Sequence, residues 1–246
     1  MQDHTVAFEW YTRSANQGNP NGQNGLGLCY YNGHGVDRDY IKAVEWYTKA
    51  AHQGNSHSQH SLGLCYEYGN GVAQDHAMAF EWYTRSANQG NSNAQCCVGR
   101  CYYSGNGIDR DYAIAFEWYA KAASQGNPYG QHSLGLCYEY GSGVRRDYAK
   151  AVEWYFKAAE QGNADSQSAL GHCYYNGDVV DQDYSEAFEW YSKSAKQGNA
   201  SGQNGLGLCY EYGYGVAQSW TQAFEWYTKA AQQGNAAAQS NLGNCY

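Results

Sequence analysis

Proline is almost missing from this chain, with 2 in 246 residues. That excludes a collagen-like sequence. No apolar run approaches the ~18 residues that a membrane-spanning helix needs, so no membrane insertion is expected. Basic clusters are missing too. The 15 Lys and Arg are scattered among 23 Asp and Glu, for a formal net charge of −8. No footprint for nucleic acid or anionic lipid exists. The opening "MQDHTVAFEW" has neither the basic nor the apolar part of a secretion signal, and the expected compartment is the cytoplasm. The eight histidines follow no ligand spacing, although His57 and His60 share a helix face, so neither metal nor cofactor is expected. No Ser/Lys or Cys/His constellation of nucleophilic catalysis stands out.

Repetition is what the chain does have. Trp10, Trp46, Trp82, Trp118, Trp154, Trp190 and Trp226 are each 36 residues apart. Gly18, Gly54, Gly90, Gly126, Gly162, Gly198 and Gly234 keep the same step inside "QGN". The stretch "LGLCYEYGNGV" from Leu62 recurs in register as "LGLCYYNGHGV", "VGRCYYSGNGI", "LGLCYEYGSGV", "LGHCYYNGDVV" and "LGLCYEYGYGV". Alone, its Gly-x-Gly suggests a phosphate loop and its Cys a nucleophile. Six or seven copies of a catalytic loop make no sense, and a phosphate fingerprint follows a strand rather than a helix. The stretch builds structure.

Each repeat carries two helical patterns. Ala43, Trp46, Tyr47 and Ala50 fall at i, i+3, i+4 and i+7, one face of a helix. Asp39 caps its start, as do Asp3, Asp75, Asp111, Asp147, Asp183 and Ser219 in the other copies, and Gly54 ends it. We call this helix B. The "LGxCY" segment is helix A, capped by Asn55 and its equivalents. Pro20 and Pro128 each follow such an Asn, at the first helical position, where proline is tolerated. One helix pair cannot bury its own apolar face, so the pairs must stack. The expected fold is all-α, an α/α superhelical solenoid of about seven helix-turn-helix repeats, continuous over residues 1–246 with incomplete units at both ends.

The repeat resembles the Sel-one-like repeat, a relative of the tetratricopeptide repeat. From Ala94, "AQCCVGRCYYSGNGIDRDYAIAFEWYAKAASQGN" follows the family's Leu-Gly-x-x-Tyr-x-x-Gly-x-Gly-Val and Ala-x-x-Trp-Tyr-x-Lys-Ala-Ala pattern, with Val98 in the Leu position. One copy departs: Gly177-Asp178-Val179 lacks the second Gly, and a different turn is expected there. The resemblance implies an adaptor or scaffold without shared catalytic residues. A secreted branch of the family ties helix B to helix A by disulfides. Those positions hold residues such as Ala51 and Ser58 here, so that bridge is absent. Another branch is linked to β-lactam binding, the alternative enzymatic reading. Cys29, Cys65, Cys101, Cys137, Cys173, Cys209 and Cys245 occupy one repeated position, about 10 Å from copy to copy at helix spacing, too far to pair. They are expected as buried thiols, with Cys96 and Cys97 additional to the pattern.

If invariant positions build the scaffold, function lies where copies differ. Counting Leu62 as position 7 of helix A, the tetratricopeptide relative presents positions 2, 5, 9, 12 and 13 to ligand on the concave face. These include His60 and His132 at position 5 and Arg100 and His172 at position 9. Positions 12 and 13 alternate. Tyr31, Tyr103 and Tyr175 are each followed by a polar residue, whereas Glu67-Tyr68, Glu139-Tyr140 and Glu211-Tyr212 occupy the intervening copies. Duplication of a two-repeat block explains the alternation; a partner-binding stripe of aromatic and acidic groups explains it as well. The expected partner is a protein or peptide, with basic residues opposite the glutamates. On helix B, Glu45–Lys49 and its copies are expected as exposed i,i+4 pairs. Trp118 is expected in the core. The core template also runs to both ends, at Phe8, Trp10, Leu242 and Tyr246, which predicts end-to-end self-association, covered ends or a longer parent chain.

Overall fold

The computed structural model describes residues 4–245; the cap expected at Asp3 and the core position expected at Tyr246 lie outside the described residues. Fourteen helices fill them. Helix B copies are α1 (His4–Asn16), α3 (Tyr40–His52), α5 (His76–Asn88), α7 (Tyr112–Ser124), α9 (Tyr148–Glu160), α11 (Tyr184–Lys196) and α13 (Trp220–Gln232). Helix A copies are α2 (Pro20–Asn32), α4 (Ser56–Tyr68), α6 (Ser92–Ser104), α8 (Pro128–Tyr140), α10 (Ala164–Asn176), α12 (Ala200–Tyr212) and α14 (Ala236–Asn244). Two compact units result, Met1–Gln125 with α1–α7 and Gly126–Tyr246 with α8–α14. Within each, every helix packs on its neighbours in chain order, the pattern of an all-α solenoid.

The caps form where the sequence predicts them. Asp39, Asp75, Asp111, Asp147, Asp183 and Ser219 each accept a backbone N–H of the first turn, at 2.8–3.3 Å. Asn19 to Asn235 do the same for the helix A copies.

The core is a knob meeting a notch. Tyr47, Tyr83, Tyr119, Tyr155, Tyr191 and Tyr227 of helix B are all buried. Each ring lies on the Gly of "LG" in the preceding helix A. A Cβ on Gly63 would fall 2.6 Å from the Tyr83 ring, and one on Gly99 2.7 Å from Tyr119, closer than real carbon contacts. So Gly is there for close approach, and the helices are held together by the tyrosine ring laid against bare backbone. Leu26, Leu62, Val98, Leu134, Leu170 and Leu206 fill the space beside it, with buried thiols at Cys29, Cys65, Cys101, Cys137, Cys173 and Cys209. Burial pushes Cys65, Cys101 and Cys209 up to about 12. They behave as small apolar residues.

A second ladder was not anticipated. Gln53 donates to Gln23, Gln89 to Gln59, Gln125 to Gln95, Gln161 to Gln131, Gln197 to Gln167 and Gln233 to Gln203, at 2.6–2.8 Å. The accepting glutamines are buried, and Gln59, Gln95 and Gln167 hand their own amides on to the carbonyls of Ala51, Ala87 and Ala159. Each interhelix turn is thereby pinned to the repeat before it, with the buried amides satisfied.

Two expectations are corrected. Of the seven tryptophans at the repeated position, Trp82 and Trp190 are buried, Trp46, Trp118, Trp154 and Trp226 half-buried, and Trp10 is 62% exposed. The cation three residues on lies over the indole face: Lys49 on Trp46, Lys121 on Trp118 and Lys229 on Trp226, each at 4.0 Å. An exposed ion pair is worth little in water, and a cation over an indole face is worth about as much, so the ring competes with the carboxylate for the lysine. Of the expected Glu–Lys and Glu–Arg pairs, Glu81–Arg85 alone closes among the described residues, at 2.5 Å. Trp118 is therefore not enclosed in the core but packs half-buried against it, beside Ala79, Tyr83 and Val98, with its outer face under Lys121.

The irregular turn keeps the conformation of its siblings. Gly35, Gly71, Gly107 and Gly215 have φ of +69 to +77°, and Val179 has φ +69°. A Cβ on any of those four glycines would meet the carbonyl of His4, Tyr40, His76 or Tyr184. A β-branched residue in this region costs about 1–2 kcal/mol. Val179→Gly is expected to raise stability by about 1 kcal/mol net of glycine's larger unfolded-state entropy. Thermal denaturation of the variant checks this, and an unchanged or lowered Tm contradicts it.

Candidate functional site

The same position of helix A is used in two ways. In α2, α6 and α10 it holds Tyr31, Tyr103 and Tyr175, half-buried rings that stand edge-on to Tyr40, Tyr112 and Tyr184 at 5.0–5.7 Å. Tyr31 also accepts a hydrogen bond from Asn70 at 3.0 Å. In α4, α8 and α12 it holds Glu67, Glu139 and Glu211, and the buried helix B tyrosine donates its hydroxyl to each carboxylate. Tyr83 reaches Glu67 at 2.5 Å, Tyr227 reaches Glu211 at 2.5 Å, and Tyr155 reaches Glu139. The alternation thus has a packing role as well: one copy packs a ring edge on the first tyrosine of helix B, and the next accepts the hydroxyl of the buried helix B tyrosine.

The three glutamates differ in what lies beyond. Arg100 of α6, one repeat on, places its guanidinium on Glu67 in a two-pronged pair, Nη2 donating to Oε2 at 2.7 Å and Nη1 to Oε1. The Glu67 side chain is 11% exposed. Burial alone would raise its pKa, but the Arg100 guanidinium and the Tyr83 hydroxyl outweigh burial and hold it below the ordinary range. Glu67 is therefore already engaged. At the Arg100 position of α10 stands His172, exposed to solvent. There a pocket of about 380 Å³ opens, lined among others by His132, Glu139, Tyr148, Tyr155, Asp165 and His172. Glu139 accepts from Tyr155 and, at 3.3 Å, from Tyr148. Asp165 accepts from Asn199 at 2.7 Å. A second pocket of about 350 Å³ lies on the far side of His172, toward Tyr175, Asn204 and Leu208.

Of the residues expected to form a binding stripe, the second unit brings His132, Glu139, Tyr140 and His172 to one pocket and Tyr175 to the next. Tyr68, Tyr140 and Tyr212 are broadly exposed. Glu211 is half-buried, and His60, also half-buried, lies near Glu67 and Arg100. Asp165, at position 2 of helix A, and the helix B residues Tyr148 and Tyr155 were not singled out in the sequence; the last two belong to elements read there as scaffold.

Cys97 and His60 approach each other, Sγ to Nε2 at 3.7 Å. The chemistry of a Cys–His nucleophile requires a lowered thiol pKa and a raised imidazole one. Both move the other way here. Burial pushes the Cys97 thiol up, and burial, with His57, brings His60 down to about 4. Among the described residues no group of three or more His, Cys, Asp or Glu is placed to hold a metal ion. Among the described residues no helix is long and apolar enough to cross a membrane.

The same shift predicts acid sensitivity. Folded His60 resists protonation until about pH 4, whereas the unfolded chain takes up the proton near 6.5. Stability from a neutral His60 is full above the higher value and is lost as pH falls toward the lower one. Allowing for a partly exposed ring, the loss is about 1–2 kcal/mol. His60→Asn should shrink the difference in urea midpoint between about pH 7 and about pH 4.5. An undiminished difference contradicts the assignment.

The profile of the Sel1 repeat matches residues 1–19, 20–55, 56–91, 92–127, 128–163, 164–199 and 200–235. The chain belongs to the Sel1 repeat family. Its repeats are similar to c5321, a protective antigen of uropathogenic Escherichia coli with an SLR fold, at 42% identity and TM-score 0.77 over 100% of this chain and 53% of that one. They are also similar to a Sel1 repeat protein of Oxalobacter formigenes, at 36% identity and TM-score 0.83 over 97% of this chain and 69% of that one. The chain therefore spans about half of the first relative and about two thirds of the second. A chain of the APC/C hetero-tetramer Cut9–Hcn1 shares the fold alone, at 14% identity and TM-score 0.67 over 99% of this chain and 46% of that one. No curated protein matches. Sel1 repeat proteins are generally non-catalytic scaffolds for protein interaction.

Proposed function

We propose that this Sel1 repeat chain is a non-catalytic adaptor that holds a protein or peptide along the helix A face of its repeats, with the pocket at Glu139 and His172 as an anchor point. The observation that carries this reading is the pocket itself. It opens on the face where the repeats differ, and the invariant residues around it are occupied with packing. Tyr140 at its edge, and Tyr212 at the same position of α12, offer broad aromatic area at low conformational cost. Glu139 and Asp165 favour a partner with basic residues.

Affinity capture from native extract tests the reading when wild type is compared with Tyr140→Ala/Tyr212→Ala, substitutions of exposed side chains that leave the core intact. A partner that wild type retains and rebinds in purified form, and that the double variant loses, supports the adaptor. A partner bound equally by both removes helix A from the account.

A further inference from the structure

We infer that the pocket between α8 and α10 is a receptor for a guanidinium group, and that the partner inserts an arginine side chain into it. This rests on the adaptor reading for its occupant, but the argument for the group comes from the chain's own repetition. A shift of 72 residues carries the surroundings of Glu67 onto those of Glu139. His60 becomes His132, Tyr83 becomes Tyr155, and Cys101 becomes Cys173. In the first unit that constellation holds a guanidinium, supplied by Arg100. In the second unit the constellation is retained and the guanidinium is not, because His172 stands in the place of Arg100.

The substitutions between the two constellations all favour an external cation. Cys97 is replaced by the smaller Ala169, which widens the space. Asn93 is replaced by Asp165, which adds an acceptor with a negative charge. His76, close enough to Glu67 to act on its charge, is replaced by Tyr148, whose hydroxyl donates to Glu139. A carboxylate has about four acceptor positions. Tyr155 and Tyr148 take two on Glu139, and the remainder can serve a fork such as Arg100 presents to Glu67. His132 does not compete as a cation. It is tucked under the pocket with Nδ1 2.8 Å from Ser166 Oγ, and burial disfavours its charged form against the pull of Asp165 and Glu139. A planar five-donor group matches two oxygens at fixed spacing; an ammonium meets them as a point charge. The site should therefore distinguish arginine from lysine.

The test is an NMR titration of the whole chain with N-acetyl-arginine methylamide, and separately with N-acetyl-lysine methylamide, read at the His and Tyr ring signals. The arginine probe should shift His132, Tyr148 and His172 and bind about tenfold more tightly than the lysine probe. Glu139→Gln should weaken it by about tenfold. His172→Arg, made at an exposed position, should place a resident guanidinium on Glu139 and abolish the response. Arg100→His should create a second set of shifts around His60. Equal response to both probes, no response, or wild-type binding by His172→Arg overturns the inference. If the arginine probe fails while partner capture still depends on Tyr140 and Tyr212, the guanidinium pocket falls and the adaptor stands. If the probe binds as described and no partner depends on those tyrosines, the pocket stands and the adaptor falls.

Discussion

Tyr83→Ala is expected to destabilise the first unit by about 3–5 kcal/mol, the range for deleting a fully buried aromatic side chain. The Tyr83 ring has no exposed surface and lies on the notch at Gly63, where its atoms are the nearest neighbours. Its hydroxyl also supports Glu67 at 2.5 Å, so the variant loses packing and a donor to a buried carboxylate together. Tyr83→Phe separates the two contributions. It keeps the ring and should cost about 1.5–3 kcal/mol, the effect of one hydrogen bond to a charged group. Urea denaturation of both variants checks the ordering. Equal losses for Ala and Phe would mean that the notch does not carry the energy.

Arg100→Met is expected to cost about 2–3 kcal/mol at neutral pH, below the usual range for breaking a buried pair because the Arg100 side chain is 43% exposed. Glu67 stays behind with the Tyr83 hydroxyl alone. The sign of the pH dependence follows from its lowered pKa. The stabilisation is present above the ordinary carboxylate value and is lost as pH falls through the folded one, so wild type and variant should converge in acid. Adding Glu67→Gln to Arg100→Met should recover most of the loss, because removing both charges also removes the desolvation penalty. A double variant as unstable as the single one would contradict this account of the pair.

Both variants bear on how legible the fold was. The Asp and Asn caps and the helical faces could be read directly, because each depends on residues a turn or two apart, and the 36-residue period shows as self-similarity of the sequence. The notch was half-legible: Gly63 and Tyr83 recur at fixed spacing, yet nothing local says that one covers the other. The Glu67–Arg100 pair was not legible. Both residues stood out as variable positions on helix A, and both were expected to face a partner. Their contact spans 33 residues and depends on a long side chain reaching the next stacked helix. The Gln ladder hides for the same reason, in 30-residue links between invariant positions. Trp118 misled because helical periodicity marks the apolar face without marking how deep each residue sits, and a lysine stem covers its outer side. At Val179 the missing glycine pointed to a changed turn, but the surrounding structure imposes the same backbone on a residue that resists it.

The pocket followed the same logic in reverse. His172 looked like one more variable position until the structure showed what Arg100 does one block earlier.

The central claim, that partners are held on helix A while helix B builds the stack, is tested most directly by hydroxyl-radical footprinting of the chain with and without its captured partner. Tyr, Trp and His report well, and the two faces carry different ones. The account predicts protection of Tyr140, His172 and Tyr212, with Trp46, Trp118, Trp154 and Trp226 unchanged. Protection of the helix B tryptophans, with Tyr140 and His172 as reactive as in the unbound chain, would contradict it.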